Sequence, residues 1–311
     1  MRIRLILFLF TLVICANSAV GQDSLRILSW NIQMLPGIVN NNGKAKRAKI
    51  IVEQLKTHHY DVVVFQELFK KRSRRIITNG LAAEFPYHTQ VLNKKAIALK
   101  TNGGVMIFSR YPINEVHEIR YAERTGFDKL SRKGAMLAEM TVHGKTIQVV
   151  GTHMQAFGST AVMYSQYNQL HNELLKPHTK PEVPQFICGD FNTIKSIPAE
   201  LPAGITQDFV NRLPRYPVML QTLDVKDYEL LGPQQYTMDR PYNDLCKKRK
   251  EYRLLLDYVL VRSTNDISYS VSRRVKIMRH PWHKNHNDLS DHFAVEAIIS
   301  GIQTPISTAK E

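Results

Sequence analysis

Cysteine is scarce in this chain: only Cys15, Cys188 and Cys246 occur among 311 residues. Two cysteines beyond the N-terminal segment allow one bridge at most, so a disulfide framework is excluded. Cys188 sits in the apolar run Gln185-Phe186-Ile187-Cys188. It is expected to be a buried thiol, because free cysteine packs as a small hydrophobe. Long apolar runs are also missing. The longest, Leu5 to Ile14, has ten residues, against ~20 for a bilayer span. With 15 glycines and 14 prolines, collagen-like and Pro/Gly-rich disordered chains are excluded. There is no internal repeat and no low-complexity linker. Acidic residues run short as well, 27 against 42 Lys+Arg, which leaves a formal charge of +15.

What remains is globular composition, with 43% aliphatic and aromatic residues and 22% charged. The N-terminus stands apart from it. Met1-Arg2-Ile3-Arg4 is basic, Leu5–Ile14 is apolar, and small residues follow at Ala16, Ser18, Ala19 and Gly21. This three-part order predicts a signal peptide over residues 1–21 and a secreted or periplasmic protein. Its removal takes Arg2 and Arg4 and no acid, lowering the charge from +15 to +13. Such a charge fits nucleic acid, a phosphate ester or an acidic membrane surface, and equally a chain that is merely basic.

Short β-branched runs bounded by Gly, Pro and Asn predict strands over Leu25–Ile32, Asp61–Leu68, Gly104–Ser109, Ala135–Val142, Thr146–His153, Gln185–Asn192, Tyr252–Arg262 and His292–Ser300. His143-Gly144-Lys145 reads as a hairpin turn. Helical spacing joins Ala48, Ile51, Val52 and Leu55, and again Met163, Tyr167, Leu170 and Leu174. A third helix is expected over Arg74–Glu84. Hairpins mixed with strand–helix alternation predict a mixed sheet with helices outside, and residues 22–311 as a single domain.

The informative positions are the strand ends. Asn31, Gln66-Glu67, His153, Asp190-Phe191-Asn192, Asp257 and Ser290-Asp291-His292 each sit where an apolar run stops or starts. A carboxylate there is costly unless it is paired, hydrogen-bonded or on a metal. One case is an ordinary cap. Six cases converging on one rim would make a hard-metal site with an acid or base beside it. Oxygen donors with few sulfurs suit Mg²⁺ or Mn²⁺ and not structural zinc.

These stretches resemble the endonuclease/exonuclease/phosphatase superfamily of metal-dependent phosphoesterases. The matching pieces are Ser29-Trp30-Asn31, Phe65-Gln66-Glu67, Gly151-Thr152-His153, Gly189-Asp190-Phe191-Asn192, Leu256-Asp257-Tyr258 and Ser290-Asp291-His292, in the family's order. The resemblance implies an α/β fold, a four-layer sandwich of two face-to-face mixed β-sheets with helices outside. It also implies hydrolysis by metal-activated water. Within the superfamily, four passages are similar to secreted bacterial neutral sphingomyelinases: residues 102–113 with Gly103-Gly104, residues 128–134 with Asp128 and Lys133, residues 151–156 with Gln155-Ala156, and residues 287–297. The secreted toxins of that group carry a long hydrophobic hairpin before the last motif. Here Met278–Lys284 is short, and Trp282 is its one clear aromatic anchor. The cysteine pair of the toxin branch has no counterpart.

By this resemblance Glu67 is the first metal ligand, with Asn31 beside it. Asp190, Asn192 and His292 could hold a second ion, and Asp291 is a ligand or outer anchor. Mg²⁺ is the implied cofactor, one or two ions, with Mn²⁺ or Co²⁺ as substitutes. Asp190 orients or deprotonates the attacking water, and Asn192 holds a phosphate oxygen. His292 is the general base with Asp257 orienting its ring. His153 stabilises charge or protonates the leaving alkoxide. Asp128 and Lys133 form a switch-like pair or an ordinary surface ion pair. The implied activity is cleavage of sphingomyelin to ceramide and phosphocholine by a monomer at a membrane surface. An exported deoxyribonuclease I-like nuclease is the alternative, favoured by the charge and by Gln33. Lys70-Lys71-Arg72, Arg74-Arg75 and Lys247–Lys250 could track an anionic backbone or membrane, or be solvated faces.

Overall fold

The computed structural model describes residues 24–36, 43–95, 100–156, 158–197, 205–246, 251–262 and 268–303. The expected signal segment 1–21 and the basic run 247–250 lie outside them. In chain order the strands are β1 (Ser24–Asn31), β2 (Val62–Gln66), β3 (Tyr87–His88), β4 (Met106–Ser109), β5 (Ile113–Arg120), β6 (Gly134–Val142), β7 (Lys145–His153), β8 (Gln185–Asp190), β9 (Met238–Asp239), β10 (Arg253–Leu254), β11 (Asp257–Arg262), β12 (Ser268–Lys276), β13 (Arg279–His283), β14 (His286–Asp288) and β15 (Ala294–Gln303). The helices are α1 (Lys44–Lys56), α2 (Lys71–Gly80), α3 (Thr160–Leu170), α4 (Gln207–Val210) and α5 (Arg215–Leu223).

Two mixed sheets result. One runs β12-β15-β1-β2-β4-β3 and the other β11-β8-β7-β6-β5. They pack face to face over an apolar layer that includes Ile27, Val62, Val64 and Ile107 from the first and Met136, Val149, Phe186, Cys188 and Val259 from the second. Strand alternation sends the neighbouring residues outward. Val63 and Phe65 of β2 meet Ala48, Ile51, Val52 and Leu55 of α1. Ile187 of β8 meets Met163, Tyr167 and Leu170 of α3. Helix, sheet, sheet, helix is the four-layer sandwich expected. Cys188 is a buried free thiol between the sheets, and Cys246 is free as well.

The hairpin turn is as expected: Val142 pairs with Lys145, and His143 and Gly144 between them both have positive φ, 49° and 79°. Other expectations need correction. α2 spans Lys71–Gly80, starting three residues before the expected Arg74–Glu84 and ending four before it, at Gly80. Arg74 does not extend into solvent there; its guanidinium caps the Leu68 and Phe69 carbonyls. The run Tyr252–Arg262 is two strands, β10 and β11, broken at Leu255-Leu256. There the Thr237 hydroxyl accepts the Leu256 and Asp257 N–H groups at 3.1 and 3.3 Å.

Trp282 is not an exposed anchor. It is 4% exposed and belongs to the core beneath α1. Its indole N–H donates to the Asp288 carbonyl at 2.8 Å. The Arg47 guanidinium lies 5.9 Å from its ring. Gly43, in a left-handed conformation (φ 62°), makes room for it: a Cβ there would sit 2.4 Å from the indole.

Candidate active site

Register across the second sheet assembles half of the site. β11 pairs antiparallel with β8 so that Asp257 faces Asp190, and β8 pairs parallel with β7 so that His153 faces Asp190. Three adjacent strands thus place two carboxylates and an imidazole in one row. In the first sheet β1 and β2 run parallel, pair Asn31 with Gln66, and release Glu67 immediately beyond. The same edge receives Ser290-Asp291-His292 just before β15. The Ser290 hydroxyl donates to the Asn31 carbonyl at 2.6 Å, and the Trp30 indole donates to the His292 carbonyl at 2.8 Å.

Three non-glycine residues at this edge have left-handed backbones: Gln33 (φ 49°), Glu67 (φ 57°) and Asn192 (φ 48°). Such geometry is disfavoured for side chains other than glycine and clusters where function demands it. It also corrects one expectation. The strand expected over Gln185–Asn192 ends at Asp190, and Asn192 reaches its place beside Asp190 through this turn. The Asn192 N–H donates to Asp190 Oδ1 at 2.9 Å.

His292 is buried and its Nδ1 lies 2.7 Å from Asp257 Oδ2. Its Nε2 faces Asp190 Oδ2 at 3.9 Å. Burial opposes a charged imidazole, but Asp257 and Asp190 outweigh it and hold the His292 pKa well above its ordinary value. On the other side, His153 Nε2 is 3.5 Å from the same Asp190 oxygen. Burial first, and then Lys133, hold the His153 pKa well below its ordinary value. The two histidines that face this carboxylate are therefore pushed in opposite directions, His292 toward greater basicity and His153 toward less.

Lys133 and Asp128 are no surface pair. Lys133 is 3% exposed. Its ammonium donates to Asp128, to His153 Nε2 and to the Met154 carbonyl, each at 3.0–3.1 Å. All three donors are used, and the proton on neutral His153 is assigned to Nδ1. Gln155 and Ala156 clamp the same loop: Gln155 Oε1 accepts the Thr125 N–H at 2.8 Å, and the Ala156 N–H donates to Asp128 at 2.9 Å.

Glu67, Asn31 and Asp291 complete the rim. The Asn31 amide donates to Asp190 Oδ2 at 3.0 Å, and Gln33 Nε2 donates to Asp291 Oδ2 at 2.6 Å. Burial first, and then the Asp291 carboxylate, push Glu67 up to about 7. Asp190 is raised to about 6, by burial and then by Asp257. A buried group of carboxylates that resist ionising together is the chemistry a divalent cation relieves. Oxygen donors from Glu67, Asp190, Asp291 and the amides fit a hard ion. Asp190, Asp257 and His292 also bring ligand-competent atoms within 4.8 Å of one another. In that trio Nδ1 of His292 is already engaged by Asp257, which leaves Nε2 for a ligand or a proton.

These groups line a cleft of about 220 Å³ whose outer wall includes Phe209, Arg212, Arg240 and Tyr252. The Arg240 guanidinium lies 4.5 Å from the Tyr252 ring. The sequence reading missed this wall. It also missed Arg47, fully buried on the apolar face of α1, whose guanidinium donates to the carbonyls of Ile32, Gln33 and Leu289. Arg47 thereby ties the end of β1 to the Ser290–His292 segment. A cation within the apolar stripe of α1 was the signal available.

The profile of the Endonuclease/Exonuclease/phosphatase family matches residues 28–292, from β1 to His292. The chain belongs to this family. Among family members, it is 26% identical over 309 residues to a phospholipase C of Staphylococcus aureus, covering 91% of this chain and 89% of the other. It is 29% identical over 276 residues to a sphingomyelinase C of Leptospira interrogans, covering 81% of this chain and 46% of that longer protein. A crystal structure of a Staphylococcus aureus beta toxin mutant with bound magnesium ions superposes with a TM-score of 0.75 at 25% identity, covering 88% of this chain and 99% of that one.

Proposed function

We propose that this chain is a metal-dependent sphingomyelin phosphodiesterase that releases ceramide and phosphocholine. The observation that carries the reading is the convergence of His292, Asp190 and His153 with Glu67 in one cleft, with Asp257 bonded to His292 behind it. Relatives named phospholipase C and sphingomyelinase C point to the lipid. Glu67 and Asn31 would hold Mg²⁺, with Asp190, Asn192, Asp291 and His292 as the donors for one or two ions; Mn²⁺ or Co²⁺ would substitute. When bound, the ion supplies Lewis-acid stabilisation of the phosphoryl oxygens and acidifies a water.

The chain's own residues do the rest. Asp190, fixed by Asn31 and the Asn192 N–H, orients the attacking water in line. Where the ion is held by the rim without His292, His292 accepts a proton at Nε2, and Asp257 stabilises the imidazolium that forms. Asn192 offers its amide to a phosphate oxygen. His153 faces the phosphoryl group from the side opposite His292 and, with the Lys133 ammonium at its Nε2, stabilises the charge that builds on the leaving oxygen, which takes its proton from water. Asp128 and Lys133 set the position and tautomer of His153.

Residues 1–21 act as an export signal, which makes the protein secreted or periplasmic, and residues 22–311 work as one catalytic domain and as a monomer at the membrane surface. No helix among the described residues is long and apolar enough to cross a membrane. Arg212 and Arg240 on the cleft wall and the charge of +13 without residues 1–21 favour a second reading, an exported nuclease. The test is phosphocholine release from sphingomyelin liposomes with Mg²⁺ and with EDTA, beside plasmid nicking by the same preparation. Metal-dependent release without nicking is expected. Nicking without release would replace the lipid reading by the nuclease one.

A further inference from the structure

The loop that carries Asp128 divides its side chains between two environments. Asp128 turns inward to Lys133 and the Ala156 N–H. Phe127 and Leu130 turn out, 91% and 63% exposed. Scattered exposed apolar side chains are ordinary. These two are not scattered. Gly126–Leu130 is a 3₁₀ turn, in which residues three apart eclipse, so Phe127 and Leu130 stand on one side. Lys129 is exposed between them and Lys100 is exposed close by, where the Thr101 N–H donates to the Leu130 carbonyl at 3.0 Å. An apolar tip flanked by ammonium groups matches a phospholipid interface: rings and methyls enter the acyl boundary, and lysines meet phosphates.

The tip is also wired to the cleft. Asp128 grips Lys133, and Lys133 donates to His153 Nε2. Trp282, which the sequence offered for membrane contact, is buried. We propose that Phe127 and Leu130 dock this protein on a phospholipid surface, which brings the loop of Asp128, and with it the cleft, to the lipid. The inference rests on the phosphodiesterase reading and names the surface through which that site meets lipid.

The test compares the wild type with the double variant F127S/L130S. Binding is measured by co-sedimentation with sphingomyelin/phosphatidylcholine vesicles in EDTA. Hydrolysis is measured with Mg²⁺ on those vesicles and on water-soluble p-nitrophenyl phosphocholine. Vesicle binding and vesicle hydrolysis should both fall about tenfold or more, and hydrolysis of the soluble ester should be unchanged. Equal vesicle binding by both proteins overturns the proposal. So does an equal loss on the soluble ester, which would make the tip structural. Concentration-dependent self-association lost in the variant, with vesicle binding intact, would assign the tip to a second copy of the chain and also overturn it. In a separate F127W variant, indole emission should shift to the blue on adding vesicles; an unshifted spectrum counts against insertion. If the wild type binds vesicles through the tip but hydrolyses neither substrate, the phosphodiesterase reading fails and the docking surface stands.

Discussion

Asp257 Oδ2 accepts the Nδ1 proton of His292 at 2.7 Å, and both side chains are buried. That contact fixes which ring nitrogen faces Asp190. In D257N the amide cannot stabilise the imidazolium in the same way. kcat should fall by about 10²–10⁴-fold with KM little changed. Steady-state kinetics on a soluble phosphocholine ester decide the matter; an undiminished kcat would remove Asp257 from the mechanism.

Chelation should abolish turnover, and added Mg²⁺ should restore it. In E67Q the Mg²⁺ concentration for half-maximal activity should rise by about tenfold or more, since one carboxylate of the rim is gone. A metal titration that superposes on the wild-type curve would dismiss Glu67 as a ligand.

Lys133 depresses the basicity of His153 by placing a positive charge at 3.0 Å. The K133M variant should therefore show a higher His153 pKa, observable by NMR of the imidazole in metal-free protein. Its kcat should drop by about tenfold or more, because ring position and tautomer are no longer set. A His153 titration at its wild-type position would count against this coupling.

Away from the cleft, Glu296 is 1% exposed, and its carboxylate accepts from the Tyr60 hydroxyl at 2.7 Å and from Arg274 at 2.6 Å. Burial alone would raise its pKa, but these bonds and the arginine charges hold it below the ordinary 4.5. A depressed carboxylate stabilises the fold above the unfolded value and loses that contribution as pH falls through the folded one. E296Q should cost about 1–3 kcal/mol at pH 7. The difference from wild type should shrink once the pH is below the folded pKa. Urea unfolding at both ends of that range measures it, and a gap independent of pH would contradict the assignment.

Where hydrophobic patterning is dense, the fold is readable in the sequence. β2 is Val62-Val63-Val64-Phe65, buried on both faces, and β8 behaves likewise. β5, Ile113–Arg120, escapes such a reading because it is an edge strand, and its Glu and His residues face solvent. The polar strand ends Asn31, Glu67, His153, Asp190, Asp257 and His292 stand out because each interrupts an apolar run. Their mutual arrangement is not visible in the sequence, since it depends on cross-strand register such as Asp257 opposite Asp190. Lys133 looks like an ordinary cation because nothing local marks a long side chain that turns inward, and Arg47 is marked only by its place in the apolar stripe of α1. Trp282 misleads for a related reason: Gly43 provides its pocket, and Gly43 is distant in sequence.

β1 lies between β2 and β15, and the Ser290 hydroxyl is bonded to the Asn31 carbonyl. The first sheet's share of the rim thus joins residues 259 positions apart in the sequence. Until Ser290–His292 reach this edge, Asp190 and His153 have no His292 imidazole opposite them. Contacts of such long sequence separation form late. The cleft is therefore expected to gain hydrolytic power only when β15 has closed against β1.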